Sequence, residues 1–454
     1  MSFDRNLGRL EQAMEILNTR ATTWNVVTIS RINGSVNEDV IRQSLDLIQC
    51  RHPRLNSHIV SSRNGWKFQT EGTDKIPLRV VKKLDSKQWL EVFYEEMNNK
   101  IDSNKYLLRV VLVHILSDRH VSFLITTAHH AIADALSCIR LHSEILTYYQ
   151  EISVGEAIKP LINLTPLPPT EELIPQDKKG LKGKINSLFF LLHLAWQKLW
   201  YRPETLGFEK YLPIAQRYSD VIHRQLEPEL TQQLVNRCRQ ENTTVNSALC
   251  AAMMFTVAQK LLKNNKKFVR LSCLSYLDVR RHINPAISDE NMAVLATSNM
   301  GFHAIHTNTN FWQLAREVKQ KLEASLKQGN IFKMILIAKY LIDFCFIYPK
   351  QVAATVSVSN VGKVNIPKVY GELEVEEISF AGTHALYGGL FTIHASTFQG
   401  KMLLNFVFSR PSISPETMEA LVNTFITYIL NISQCQHDFC LHDIPQRDYY
   451  PVKQ

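Results

Sequence analysis

Two adjacent histidines, His129 and His130, close the stretch LITTAHH, and an aspartate, Asp134, follows four residues after the second. An imidazole with an unperturbed pKa of about 6.5 can take a proton from a hydroxyl or amine near neutral pH and return it, a role that typically contributes about 10²- to 10⁴-fold to a rate. Successive side chains on an extended segment point to opposite sides, so one histidine is available for chemistry and the other packs. His130 and Asp134 could meet across one helical turn, but two ligands do not make a metal site and no HExxH supplies a third, so no metal is expected. A serine-hydrolase elbow (GxSxG), a phosphate loop (GxxxxGK) and a dinucleotide turn (GxGxxG) are all missing from the sequence. General-base catalysis remains, beside the alternative that both histidines are satisfied core residues.

The elements that must position these residues can be read from periodicity. YLLRVVLVHIL (106–116) and VSFLITTA (121–128) are β-branched, apolar runs joined by a short polar turn, the signature of a hairpin. From Asp134 onward Leu136, Ile139, Ser143, Leu146 and Tyr149 recur at helical spacing. The unit is therefore strand, short loop, helix, with the histidines where the strand ends. In the second half, TTVNSALCAAMMFTVAQKLL (243–262) predicts a long buried helix opened by a capping Thr or Asn, and FVRLSCLSYLDVRR (268–281), VAATVSVSNVG (352–362) and KMLLNFVFSR (401–410) predict strands. Helices and strands mix throughout, which points to two α/β layers facing each other.

The chain of 454 residues is too long for one ordinary core, so two domains are expected, with the five prolines of KPLINLTPLPPTEELIP (159–175) marking the boundary. The reading is an N-terminal unit over 1–158, a Pro-rich connector and apolar crossover helix over 159–205, and a C-terminal unit over 206–454. The formal charge of +9 lies in short clusters, KKGLKGK (178–184) and KNNKKFVR (263–270), without the interleaved aromatics of a nucleic-acid groove, so nucleic acid is set aside. Eight cysteines without CxxC or zinc spacing, and an N-terminus without an apolar signal core, give a cytoplasmic protein with reduced thiols as the expectation. SLFFLLHLAWQKLW (187–200) falls short of the roughly 20 residues of a membrane span. It is expected to pack between the domains, with a peripheral seat on a membrane as the alternative that Lys178, Lys179, Lys182, Lys184, Lys198 and Arg202 around it suggest.

HHAIAD, His-His-x-x-x-Asp, resembles the signature of the large acyltransferase superfamily with a chloramphenicol-acetyltransferase-like fold, which includes condensation domains, alcohol acyltransferases and polyketide-associated acyltransferases. RNLGRLE (5–11), HPRL (52–55), TPLPPTEEL (165–173), TTVNSALCAA (243–252), LDVRRHINP (277–285) and SNVGKV (359–364) are similar to segments of that superfamily in the same order. The resemblance implies two such subdomains forming a V with a channel between them. It implies that His130 is the general base, that His129 packs, and that Asp134 is structural and pairs with Arg280 of the Asp-x-Arg strand. The glycine usual after the aspartate is Ala135 here, and the DFGWG and PLW segments of two branches are not found, which favours the polyketide-associated or condensation-like branch.

The implied reaction moves an acyl group from a thioester to an alcohol. The donor is acyl-coenzyme A or a chain on an acyl carrier protein's phosphopantetheine arm, with no permanently bound cofactor. A small or lipid-like alcohol is expected as acceptor because no carrier or adenylation segment adjoins the motifs, and a monomer is expected because one chain supplies both channel walls. Ser357, Ser359 and Asn360 are candidates for stabilising the oxyanion or contacting substrate, since alternation along VSVSN sets Ser357 and Ser359 on one face. An amide-forming condensation enzyme and a non-catalytic relative that binds a carrier protein or lipid are the alternatives.

Overall fold

A computed structural model describes residues 4–63, 65–155, 163–262, 266–434 and 440–441, with the side chains of 181, 182 and 184 not described. The expected unit boundary at 158/159, Cys435 and the side chains of Lys182 and Lys184 therefore lie outside the described residues.

The strands, in chain order, are β1 (Arg5–Asn6), β2 (Thr23–Asn33), β3 (His58–Ser62), β4 (Gly65–Gln69), β5 (Leu78–Lys83), β6 (Leu108–Ile115) and β7 (Val121–Ala128) in the first half. The second half contributes β8 (Tyr218–Leu226), β9 (Phe268–Asp278), β10 (Ala296–His306), β11 (Val356–Lys363), β12 (Val369–Tyr370), β13 (Leu373–His384), β14 (Phe391–Phe398) and β15 (Lys401–Arg410). Two six-stranded mixed sheets result, in the orders β12-β13-β2-β7-β6-β5 and β10-β9-β11-β14-β15-β8, with a small sheet β1-β4-β3 beside them.

The helices are α1 (Arg9–Ala21), α2 (Glu38–Arg51), α3 (Trp89–Asn98), α4 (Ala135–Ser153), α5 (Gly180–Tyr201), α6 (Pro228–Gln240), α7 (Val245–Leu261), α8 (Phe311–Lys327), α9 (Asn330–Ile347) and α10 (Pro415–Gln434). The hairpin is β6–β7, whose residues pair in antiparallel register from Leu108↔Ala128 to His114↔Ser122. Both of its faces are covered, which is why its sequence is a nearly unbroken apolar run instead of an alternation. Val110, Leu112 and Leu124 join the core that α4 and α1 share, while Val111, Val113, Phe123 and Ile125 meet Phe93 and Met97 of α3 on the other side. In the second half α7 is buried along most of its length, with Thr244 as N-cap accepting from Ser247 N–H.

The two sheets do not divide at the connector, and the C-terminal unit read as 206–454 needs that amendment. β13 pairs antiparallel with β2 from Glu374↔Asn33 to His384↔Thr23, so the second half supplies two strands of the first sheet. Val375, Ile378 and Phe380 of β13 are buried in the first core. A strand donated across halves leaves no signal in local sequence, because its alternation fits either sheet.

The apolar helix also departs from its expected place. α5 packs on α9 along one side only, and the opposite side faces solvent. An interior position would have needed apolar neighbours on all sides.

Candidate active site

The loop between β7 and α4 carries the histidines, and its chain direction separates them. His129 is fully buried: its Nδ1 accepts from the Ala131 N–H (3.1 Å), and its Nε2 lies 2.9 Å from Oε2 of Glu15 on α1. Glu15 is held in turn by the Ser103 hydroxyl, which donates to Oε1 at 2.8 Å. His130 turns the other way, half-buried, into a cavity of about 640 Å³. Its Nδ1 lies 2.7 Å from the Ala133 carbonyl. A carbonyl only accepts, so Nδ1 carries the proton and Nε2 keeps the free lone pair. Burial pushes the pKa of His130 below 6.5, and the Asp134 charge and the Ala133 carbonyl oppose that shift.

Asp134 is the N-cap of α4. Its Oδ1 accepts from the Ser137 N–H (2.9 Å) and hydroxyl (2.9 Å), and its Oδ2 accepts from the Leu295 N–H (3.0 Å). Arg280 donates to both carboxylate oxygens, Nη2 to Oδ1 and Nη1 to Oδ2, each at 2.9 Å. Arg280 also donates to Asp278 (2.8 Å) and to the Ser137 hydroxyl (2.8 Å). Burial alone would raise the Asp134 pKa, but the Arg280 charge and these hydrogen bonds hold it below the ordinary carboxylate value. Asp134 and Arg280 are 3% and 1% exposed, so the pair is a buried, two-pronged clamp between the two halves. Ala135 opens α4 in right-handed helical backbone, so nothing at this position calls for the positive φ that favours glycine.

Ser357, Ser359 and Asn360 all line the cavity. β11 pairs with β9 only over Val356–Val358, so its end runs free of that neighbour and opens the gap that the cavity occupies. Asn360 is partly engaged at home, where its Oδ1 accepts from Gly362 N–H (2.9 Å) in an irregularity of the strand.

Several lining residues escaped sequence reasoning. Trp24, at φ +64 where a bulky side chain is strained, sets its ring 6.2 Å from that of His130 and against Tyr276 and Tyr387. His394 stands opposite Ser359 in the β11–β14 register and accepts weakly from Gly382 N–H (3.4 Å). Burial, and after it the charge that His130 takes up when protonated, push the His394 pKa down to about 3, and burial does the same for His384. Both rings are therefore neutral at pH 7. A single histidine in an apolar strand such as FTIHASTF reads as core, and only the fold shows that it faces His130. Leu10 and Met14 of α1, Leu191 and Leu194 of α5, and Ile335 and Leu341 of α9 give the cavity apolar walls, with Lys198, Ser298 and Gln351 among its polar lining.

Comparisons with known proteins bear on this arrangement. Residues 12–164 match the model of the condensation domain, and residues 216–407 match the model of the phthiocerol/phthiodiolone dimycocerosyl transferase C-terminus. A probable alcohol acetyltransferase of Fusarium pseudograminearum is 23% identical over 333 residues, 67% of this chain and 66% of that relative's length. The backbone superposes on the trichothecene 15-O-acetyltransferase of Fusarium sporotrichioides with a TM-score of 0.75 at 11% identity, covering 95% of this chain and 96% of that one. It superposes on the first condensation domain of the calcium-dependent antibiotic synthetase at 0.72 and 12% identity, covering 97% and 98%.

Both halves of the chain are thus similar to acyl-transferring relatives of the HHxxxD superfamily, the first to the condensation domain and the second to the dimycocerosyl transferase C-terminus. The fold of the chain is that of the superfamily, two chloramphenicol-acetyltransferase-like halves of mixed α/β structure facing each other. The superfamily motif lies in the part matched by the condensation-domain model, and its arginine partner Arg280 lies in the part matched by the transferase model.

Proposed function

We propose that this chain transfers an acyl group from a thioester to an alcohol, with His130 as general base. The observation that carries the reading is the His130 ring itself: Nδ1 is committed to the Ala133 carbonyl, while the ring lines an apolar cavity and burial keeps it neutral at pH 7. Nε2 takes the proton of the acceptor hydroxyl as its oxygen attacks the thioester carbonyl carbon. The tetrahedral oxyanion collapses, the carbon–sulfur bond breaks, and the departing thiolate takes the proton back from the imidazolium. Ser359, with Ser357 and Asn360 beside it, is proposed to donate to that oxyanion. His129, held by Glu15, and Asp134, held by Arg280, keep the loop in place and take no proton. The donor is acyl-coenzyme A or a phosphopantetheine-borne acyl chain, and in either case the thioester is a co-substrate.

The test is release of free thiol from an acyl-thioester in the presence of alcohols. His130→Ala is expected to lose about 10²- to 10⁴-fold in rate while keeping its fold. Ser359→Ala is expected to lose about 100-fold if it donates to the oxyanion. Undiminished turnover by folded His130→Ala would remove the mechanism. The condensation-domain match over 12–164 favours a second reading, amide formation on an amine. Mass spectrometry of products made from paired alcohol and amine acceptors separates the two.

A further inference from the structure

The outside of the molecule carries an apolar face that the acyl-transfer chemistry does not use. On α5, Leu188, Phe189, Leu192, Trp196, Leu199 and Trp200 recur at three- and four-residue intervals, and all are exposed, Leu199 and Trp200 to 73% each. Trp196 and Trp200 stack on each other with centroids 5.9 Å apart. α9 and its end extend the patch with exposed Tyr340, Phe344, Ile347 and Tyr348. Contiguous apolar surface of this kind marks an interaction site.

Its charge narrows the partner. From Gly180 to Arg202 the sequence holds no Asp or Glu, and it holds Lys182, Lys184 and Arg202, with Lys179 just before; Lys198 is turned inward to the Val352 and Ala353 carbonyls, and Lys178 is paired with Asp177 (3.1 Å). Asp343, the one carboxylate of α9, is paired with Lys339 at 2.7 Å. A second copy of this chain would set a carboxylate-free, lysine-bearing helix against itself, a like-charge contact, whereas an anionic bilayer neutralises it. Exposed tryptophans among basic residues are the composition of a helix lying in the plane of a membrane interface. No helix among the described residues is long and apolar enough to cross a membrane, so the contact would be peripheral.

The same face reaches the cavity. Leu192, Tyr340, Phe344 and Tyr348 are exposed and also line it, so an apolar path runs from the patch toward His130. We infer that the α5–α9 face seats this chain on an anionic lipid surface, and that the cavity mouth there admits the long apolar chain of a bilayer-borne substrate. The seating stands on the surface alone, and the admission of substrate rests on the acyl-transfer reading.

The probes are vesicles of phosphatidylcholine and of phosphatidylcholine mixed with phosphatidylglycerol. The full chain is expected to sediment with the mixed vesicles, to bind less as salt is raised, and to shift its tryptophan emission to the blue. Phe189→Glu/Trp200→Glu changes two exposed side chains outside the cavity lining and is expected to bind at least about tenfold more weakly. His130→Ala is expected to bind like the unaltered chain, so loss of the catalytic reading would leave this one standing. A chain that stays in the supernatant, or a charge-bearing variant that binds equally well, would overturn the seating. So would a dimer, measured by light scattering, that the same substitutions dissociate. The substrate half is read with two donors: a long-chain thioester held in vesicles, expected to be turned over about tenfold more slowly by the variant, and a water-soluble short-chain one, expected to be unaffected. Equal slowing of both, or of neither, would overturn that half.

Discussion

At the scale of single residues, the site depends on which protonation state each histidine can hold. A general base works only when neutral, so its activity falls as pH drops through its pKa. Burial places that pKa below 6.5 in His130, and Asp134 holds it up from a lower value still. The rate of acyl transfer is therefore expected to be flat across neutral pH, with its acidic limb below that of a free imidazole. Asp134→Asn is expected to move the limb further down, because the charge that favours the imidazolium is gone. A limb at or above pH 6.5 in the unaltered chain, read from kcat/KM against pH, would contradict burial as the dominant influence. His384 and His394 stay neutral at every pH where this limb is measured, so they contribute no second inflection there.

At the scale of elements, the Asp134–Arg280 clamp ties the N-terminus of α4 to the segment that follows β9. One carboxylate serves as helix cap, as acceptor for the Leu295 N–H and as counter-ion to a buried guanidinium. Removing one member leaves the other a buried charge without its two-pronged partner, with only Asp278 remaining for Arg280. Asp134→Asn and Arg280→Met are each expected to cost about 3–5 kcal/mol, and the double variant less than their sum. Urea unfolding measures all three, and a single variant as stable as the parent would show that the clamp carries no stability. The sign of its pH dependence follows from the lowered Asp134 pKa. The contribution is fully present above the ordinary carboxylate range and is lost as pH falls through the lower folded value. The clamp therefore does not weaken between pH 8 and pH 5, where the His130 limb is read.

At the scale of the whole molecule, β13 makes the halves interdependent. Without it β2 would present an open edge, and the first core would lose Val375, Ile378 and Phe380. A fragment spanning 4–155 is expected to show no cooperative unfolding transition alone and to regain one when residues 163–454 are supplied in trans. A sigmoidal urea transition for the isolated fragment near the midpoint of the full chain would mean that the halves are autonomous. The α5–α9 face also belongs to this scale, because its breadth comes from two helices, one in the connector and one in the second half.

The amino-acid sequence by itself determined the local units: the β6–β7 hairpin, the helix that opens after Asp134, the buried α7, and strands β9, β11 and β15. These follow from periodicity and capping, which act over a few residues. The partnership of Asp134 with Arg280 was legible only through resemblance, since 146 residues separate them and no spacing rule spans that distance. Tertiary structure alone decided that His129 meets Glu15, that Trp24 and His394 face His130, that β13 crosses to the first sheet, and that one side of α5 stays bare. Each of these is a contact between segments whose local patterns are satisfied equally well elsewhere. An apolar strand or helix states that it needs a neighbour, but only the packed chain decides which one it has.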